Sequence, residues 1–187
     1  MSGTFDPING GFSTVPPSYP LGIPIKEKVE LEKIKRYIAD AVYENHHSYI
    51  PRGRLGWHYG VMLDEQLVGA ITFSTWPASA NLKGVDSDDI IEVARVCIAH
   101  DTPNLASCAM AKAQDKFLEE EAPDYGVGLL VTYIHNEYNG SMFKALRGKG
   151  WEFDELRHSE GLGGGSYAAN DEDIYSIDKE RWVCKLD

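Results

Sequence analysis

Apolar positions along this chain switch between a two-residue and a four-residue rhythm, and the switches mark its elements. Residues 90–100 (IIEVARVCIAH) are rich in β-branched and small side chains and read as a strand, with Ile91, Val93 and Arg95 on one face. Asp101-Thr102-Pro103-Asn104 follows as a turn in which Thr102 or Asn104 suits a helix cap and Pro103 a first helical turn. Leu105, Ala109, Ala113 and Phe117 then recur every four residues with Met110 beside them, which predicts an amphipathic helix to about Glu121, ended by Pro123. Residues 126–136 (GVGLLVTYIHN) form the nearly continuous apolar run of a strand covered on both faces. Polar residues crowd its carboxyl end, where open α/β sheets place their ligands. A short helix over 141–149, a turn at Gly150-Trp151 and a strand over 152–157 close this unit.

Upstream, residues 1–25 are a tail rich in Pro and Gly, and 26–187 are expected to form one domain. Leu31, Ile34, Ile38 and Val42 set a helical stripe that predicts one helix over 26–45. His46-His47-Ser48-Tyr49 and Pro51-Arg52-Gly53-Arg54 hold the densest group of ring nitrogens and positive charge. Residues 56–63 and 67–76, joined by Asp64-Glu65-Gln66, have hairpin spacing. Downstream, EGLGGGS (160–166) reads as a lid or hairpin tip, because no GK[ST] follows to make it a phosphate loop. Residues 181–186 are expected to be an edge or closing strand.

Charge narrows the range of partners. Among 187 residues, 18 Lys and Arg face 29 Asp and Glu, a net of -11, so loose attraction to nucleic acid or an anionic membrane is disfavoured unless a local basic patch exists. The three cysteines, Cys97, Cys108 and Cys184, are an odd number without a CxxC pair and read as reduced core residues of a cytoplasmic protein. No apolar stretch approaches membrane-spanning length and no signal peptide is evident.

The order helix, hairpin, strand, helix, strand, helix, strand, strand resembles the GNAT acyltransferase superfamily. DEQLVGAITF is similar to its second and third strands, and YIHNEYNGSMFKALRGKGWEF to its closing motif. The resemblance implies a mixed α/β (α+β) fold: a mostly antiparallel central sheet, a splayed pair of strands 4 and 5, and flanking helices. It also implies an acyl-CoA donor, with acetyl-CoA the usual one, held near a helix N-terminus. The turn at that place, HDTPNLASCAMA, has no glycine and carries Asp101. One branch, the Mom proteins of phages, which modify adenine in DNA at its exocyclic nitrogen, is similar here and in His46-His47-Ser48-Tyr49, TFSTWPAS, VARVCIAH and TYIHNEYNGSMFKA. His135 and Phe143 stand where that pattern has Asp and Tyr.

The resemblance carries over His46 or His47, Arg95, Asn104 and Ser107. The catalytic candidates are His135, as general acid or base, with His47, Tyr49 and Ser107. Arg95, Cys97, Ile98, Asn104, Ala106, Ser107 and Asn136 are candidates for the carrier site. A charged Arg95 in a central strand must pair with an acid such as Glu92 or face a ligand. An iron ion, also implied by the resemblance, would use His46, His47 and His135. Contacts to DNA would fall to Arg52, Arg54, Arg147 and Lys149, forming one basic face; Tyr49, Tyr133 and Tyr138 would stack on a flipped base or simply pack. Three functions follow as alternatives: a Mom-like modifier of DNA adenine, a small-molecule N-acyltransferase, and a non-catalytic protein of the same fold. A homodimer is compatible with each.

Overall fold

The computed structural model describes residues 24–47, 54–77, 80–138, 140–158 and 178–186. The hairpin is where the sequence places it. β2 (Trp57–Leu63) and β3 (Gln66–Thr75) pair antiparallel, and the two residues between them, Asp64 and Glu65, both take positive φ (48 and 64°), the conformation whose twist suits a two-residue hairpin turn. β4 (Ile90–Ile98), α3 (Leu105–Glu120), the short α4 (Ala122–Tyr125) and β5 (Leu129–His135) follow. α5 (Ser141–Ala145), β6 (Trp151–Arg157) and β7 (Lys179–Lys185) complete the series.

The region before the hairpin departs from expectation. The single helix over 26–45 is instead α1 (Ile25–Lys28), β1 (Val29–Lys33) and α2 (Arg36–His46). VELEK alternates as well as it spirals, and the free edge of β2 offers it a ladder from Val29–Leu63 to Lys33–Tyr59, so tertiary pairing overrides local helical preference. The sheet order is β1-β2-β3-β4-β5-β7-β6, with β4 and β5 the parallel pair. β7 therefore lies inside the sheet, between β5 and β6, so of the two expectations for the last strand, edge or closing, the edge is taken by β6 instead. Pro103 and Asn104 precede α3; Asn104 is left-handed (φ 64°) and its side chain makes no cap.

Helices cover the two faces unequally. On one, Ile91, Val93, Phe73, Leu130 and Trp182 pack against α3 through Leu105, Ala109, Met110, Ala113 and Phe117, with Phe73 and Phe117 stacked at 4.5 Å. On the other, α2 lays Ala39, Val42 and Tyr43 on Leu67, Ala70 and Cys97. Beside α2 on that face, Leu82 packs on Ile90, Leu129, Val131 and Val183.

Candidate functional site

β4 and β5 run together only briefly. Their ladder joins Ile90, Ile91 and Glu92 to Leu129, Leu130 and Val131; the Thr132 hydroxyl then donates to the Val93 carbonyl at 2.9 Å, and beyond that clasp the strands part. The wedge they leave is a cavity of ≈ 760 Å³ walled by residues 92–98 of β4, Thr132 to Ile134 of β5, and residues from α2, α3 and α5.

A bulge sets what faces this slot. Thr72 of β3 stands opposite Arg95 and Phe73 opposite Val93, so Ala94 is an extra residue and the alternation of β4 inverts at it. The expected face shared by Ile91, Val93 and Arg95 therefore does not exist. Ile91 and Val93 enter the core under α3, whereas Arg95 and Cys97 turn to the α2 face, and Val96 and Ile98 take up the α3 side. Behind Arg95 a buried polar chain braces the strand: the Tyr43 and Thr72 hydroxyls lie 2.7 Å apart, and His58 Nδ1 lies 2.8 Å from the same Thr72 oxygen.

The α2 end of the slot is polar. His46 and His47 end α2 and line the cavity with Arg95, Lys179, Arg157 and His158. Burial, then the charges of Arg95 and His135, lower the His47 pKa to about 4, so its imidazole is neutral at pH 7. Burial also holds the Cys97 thiol up at about 12, which leaves it an unreactive wall. The α3 end is apolar, with Ala106, Met142 and Phe143. Phe143 is 1% exposed and edge-on to Trp151 at 4.6 Å, so it is a floor residue. Gly140, in the wall at φ 52°, is crowded: a Cβ there would enter the Trp182 indole, whose Nε1 donates to Glu180 at 2.8 Å.

The candidates divide accordingly. His46, His47, Arg95, Cys97, Ile98 and Ala106 meet at the slot. His135 does not line it; the ring is 1% exposed, Nδ1 lies 3.4 Å from Glu137, and burial, with Glu137 opposing, lowers its pKa. The Ser107 hydroxyl donates to the Asn104 carbonyl at 3.1 Å, closing on its own helix turn, and the Asn104 and Asn136 side chains are exposed. Tyr49, Arg52 and residues 160–166 lie outside the described residues. Arg54 is held by Glu92 on the α2 face and Lys149 by Asp115 of α3 at 2.6 Å on the opposite one, so these two, with Arg147 beside Lys149, do not share a basic face. Among the described residues, no three His, Cys, Asp or Glu side chains are grouped to hold a metal, so His46, His47 and His135 do not form the iron site expected. No helix among them is long and apolar enough to cross a membrane. Tyr133 and Tyr138 also line the slot, and sequence reasoning missed Lys179, Arg157 and His158 as slot residues, for only the sheet order brings them there.

A parallel pair that splays inside an otherwise antiparallel sheet is also the arrangement of known structures. An acetyltransferase from Bacillus subtilis in complex with CoA superposes with a TM-score of 0.53 at 13% identity, covering 85% of this chain and 98% of its own. The chain has the GNAT acetyltransferase fold. A GNAT-family acetyltransferase from Elizabethkingia anophelis with acetyl-CoA bound (TM-score 0.52, 12% identity, 86% and 99% covered) and an IAA acetyltransferase from Bacillus cereus (0.53, 14%, 84% and 99%) agree. No protein-family model matches the sequence, and no curated protein does. The GNAT resemblance of the sequence thus holds at the level of the fold, while none of these matches is a Mom protein.

Proposed function

We propose that the chain is an N-acyltransferase that moves an acyl group from an acyl-CoA, with acetyl-CoA the first choice, to the amine of a small molecule. The observation that carries this reading is the slot itself, which runs through the sheet where β4 and β5 part, apolar at the α3 end and polar at the α2 end. An open strand edge complements the amides of a pantetheine arm as it would an added strand. The N-terminus of α3, beside Ala106, supplies N–H groups and a positive dipole end for the carrier's phosphates, a role that needs no glycine in the preceding turn. CoA or acetyl-CoA in two of the structural neighbours supports the same carrier.

The chemistry is a displacement at the thioester. The amine nitrogen attacks the carbonyl carbon, the C–N bond forms, the C–S bond breaks, and the nitrogen gives up a proton while the sulfur gains one. His47, neutral and at the polar end, takes the proton from nitrogen, in place of the buried His135. Tyr138, half-exposed in the slot wall, gives its phenolic proton to the leaving sulfur. A small acceptor fits better than DNA, because Arg54 and Lys149 are engaged on opposite faces.

Calorimetric titration with acetyl-CoA and a thiol-release assay over an amine panel test this reading. Saturable binding is expected, and His47→Gln should slow transfer by about 10²- to 10⁴-fold while binding acetyl-CoA as before. Folded protein that shows no saturable binding of acetyl-CoA would sink the proposal.

A further inference from the structure

The slot has a floor on its α3 side, and that floor is built to stay where it is. Val93, Ile134 and Phe143 belong to one apolar cluster on the α3 face of the sheet, and all three line the slot at the Thr132–Val93 clasp or just beyond it. Ile134 is partly buried, whereas Val93 and Phe143 are 2% and 1% exposed. Two indoles back the Phe143 ring, Trp151 edge-on at 4.6 Å and Trp182 at 6.3 Å. Each is pinned by its own N–H: Trp151 Nε1 donates to Gln114 of α3 and Trp182 Nε1 to Glu180, both at 2.8 Å. Phe153 meets Trp182 edge-on at 5.8 Å, and a Cβ added to Gly140 would lie 2.7 Å from the same indole, so the backbone entering α5 already rests against it. A ring packed in this way cannot recede for extra atoms without moving hydrogen-bonded neighbours.

We infer that Phe143 sets the length of the acyl group, holding the enzyme to acetyl and other very short chains. This rests on the acyltransferase reading of the slot and sharpens its donor. With the carrier's phosphates at the N-terminus of α3, the pantetheine arm follows the free edge of β4 from Ile98 toward Val93, roughly 15 Å of strand. The thioester thus arrives at the fork of the sheet, beside the clasp. Two walls face the acyl group there. The α2 side carries Arg95, His46 and His47, and the amine comes from that side. The α3 side carries Val93, Ile134 and Phe143, which suit a methyl group. A longer chain must either displace the Phe143 ring or turn back into the path of the amine. One methylene too many in a fitted apolar pocket costs roughly 10- to 200-fold in kcat/KM.

A chain-length series tests this. Acetyl-, propionyl-, butyryl- and hexanoyl-CoA are compared in wild type, Phe143→Leu and Phe143→Ala, by thiol release with an amine that reacts and by equilibrium binding, which needs no acceptor. In wild type, affinity and kcat/KM should fall by roughly tenfold or more from acetyl to butyryl. Phe143→Ala should raise the ratio of butyryl- to acetyl-CoA by a similar factor, and Phe143→Leu should raise it by less. Because each ratio compares donors within one protein, a general loss of stability or of carrier affinity cancels. Phe143→Leu keeps most of the buried volume and decides the matter should Phe143→Ala not fold. A wild type indifferent to chain length, or a steep wild-type series whose ratio moves in no folded variant, overturns the inference. A flat series with acetyl-CoA bound strikes the inference alone, whereas failure of every donor to bind takes the acyltransferase reading down with it.

Discussion

The two halves of β4 have the same neighbour, β3, on one side and opposite fates on the other. Ile90, Ile91 and Glu92 are laddered to β5, and both isoleucines are 1% exposed. From Val93 onward the β5 ladder is gone, the bulge at Ala94 inverts the alternation, and Arg95, Val96 and Ile98 are only partly buried. A strand held from both sides is core; the same strand held from one side is a wall. Nothing in the hydrophobicity of IIEVARVCI separates the halves, so the division comes from the partner strand.

The largest expected effect breaks the core half. Ile91→Ala, in the cluster with Phe73, Leu105 and Leu130, should lower stability by about 2–5 kcal/mol. Val96→Ala, partly exposed at the slot, should cost about 1–2 kcal/mol and act mainly on acyl-CoA affinity. Urea unfolding of the two variants, set beside acetyl-CoA titration, checks the contrast, and equal stability losses would mean that both halves are core.

Acid sharpens the comparison. The folded-state pKa of His47 is about 4 against an ordinary 6.5, and His46, His58 and His135 are shifted in the same direction, each chiefly by burial. Between those values the unfolded chain binds more protons than the folded one, so the contribution of His47 is complete above about pH 6.5 and is lost as pH falls toward 4. Discounted for partial exposure, it amounts to roughly 1–2 kcal/mol. The urea midpoint should fall between pH 7 and 5, and less steeply in His47→Gln. A parallel fall in both proteins would place the acid sensitivity elsewhere.

Much of this fold is legible in the residues. The hairpin follows from two apolar runs with Asp64-Glu65 between them, α3 from apolar side chains every four residues, and β5 from an unbroken apolar run. What stayed hidden depends on partners distant in the chain. VELEK fits a helical stripe until β2 offers it an edge, and β7 reads equally as an edge or a closing strand until β6 takes the edge. At the site, Arg95, Cys97, Ile98, Ala106, His46 and His47 were named from the sequence and do meet at the slot. The face of Arg95 was not legible, because a bulge adds one residue without a mark in composition. Ser107 and His135 were plausible by type, yet one closes on its own helix turn and the other is buried beside Glu137.

The smallest effect lies where the two halves of β4 meet. Thr132 is 4% exposed, and its hydroxyl makes the last cross-strand bond before the slot opens, to a Val93 carbonyl that the β4–β5 ladder no longer serves. Thr132→Val keeps the shape and removes the donor, leaving a buried acceptor to find another; a cost of about 1 kcal/mol is expected. Its diagnostic effect is local. If this bond fixes the point of divergence, amide exchange should quicken for residues 93–96 while Ile90 to Glu92 keep their protection, since only the former lose their tie to β5. Uniform loosening along β4 would instead show that the divergence is set by the packing of α3 and α5 around the slot, with the hydroxyl merely accommodating it.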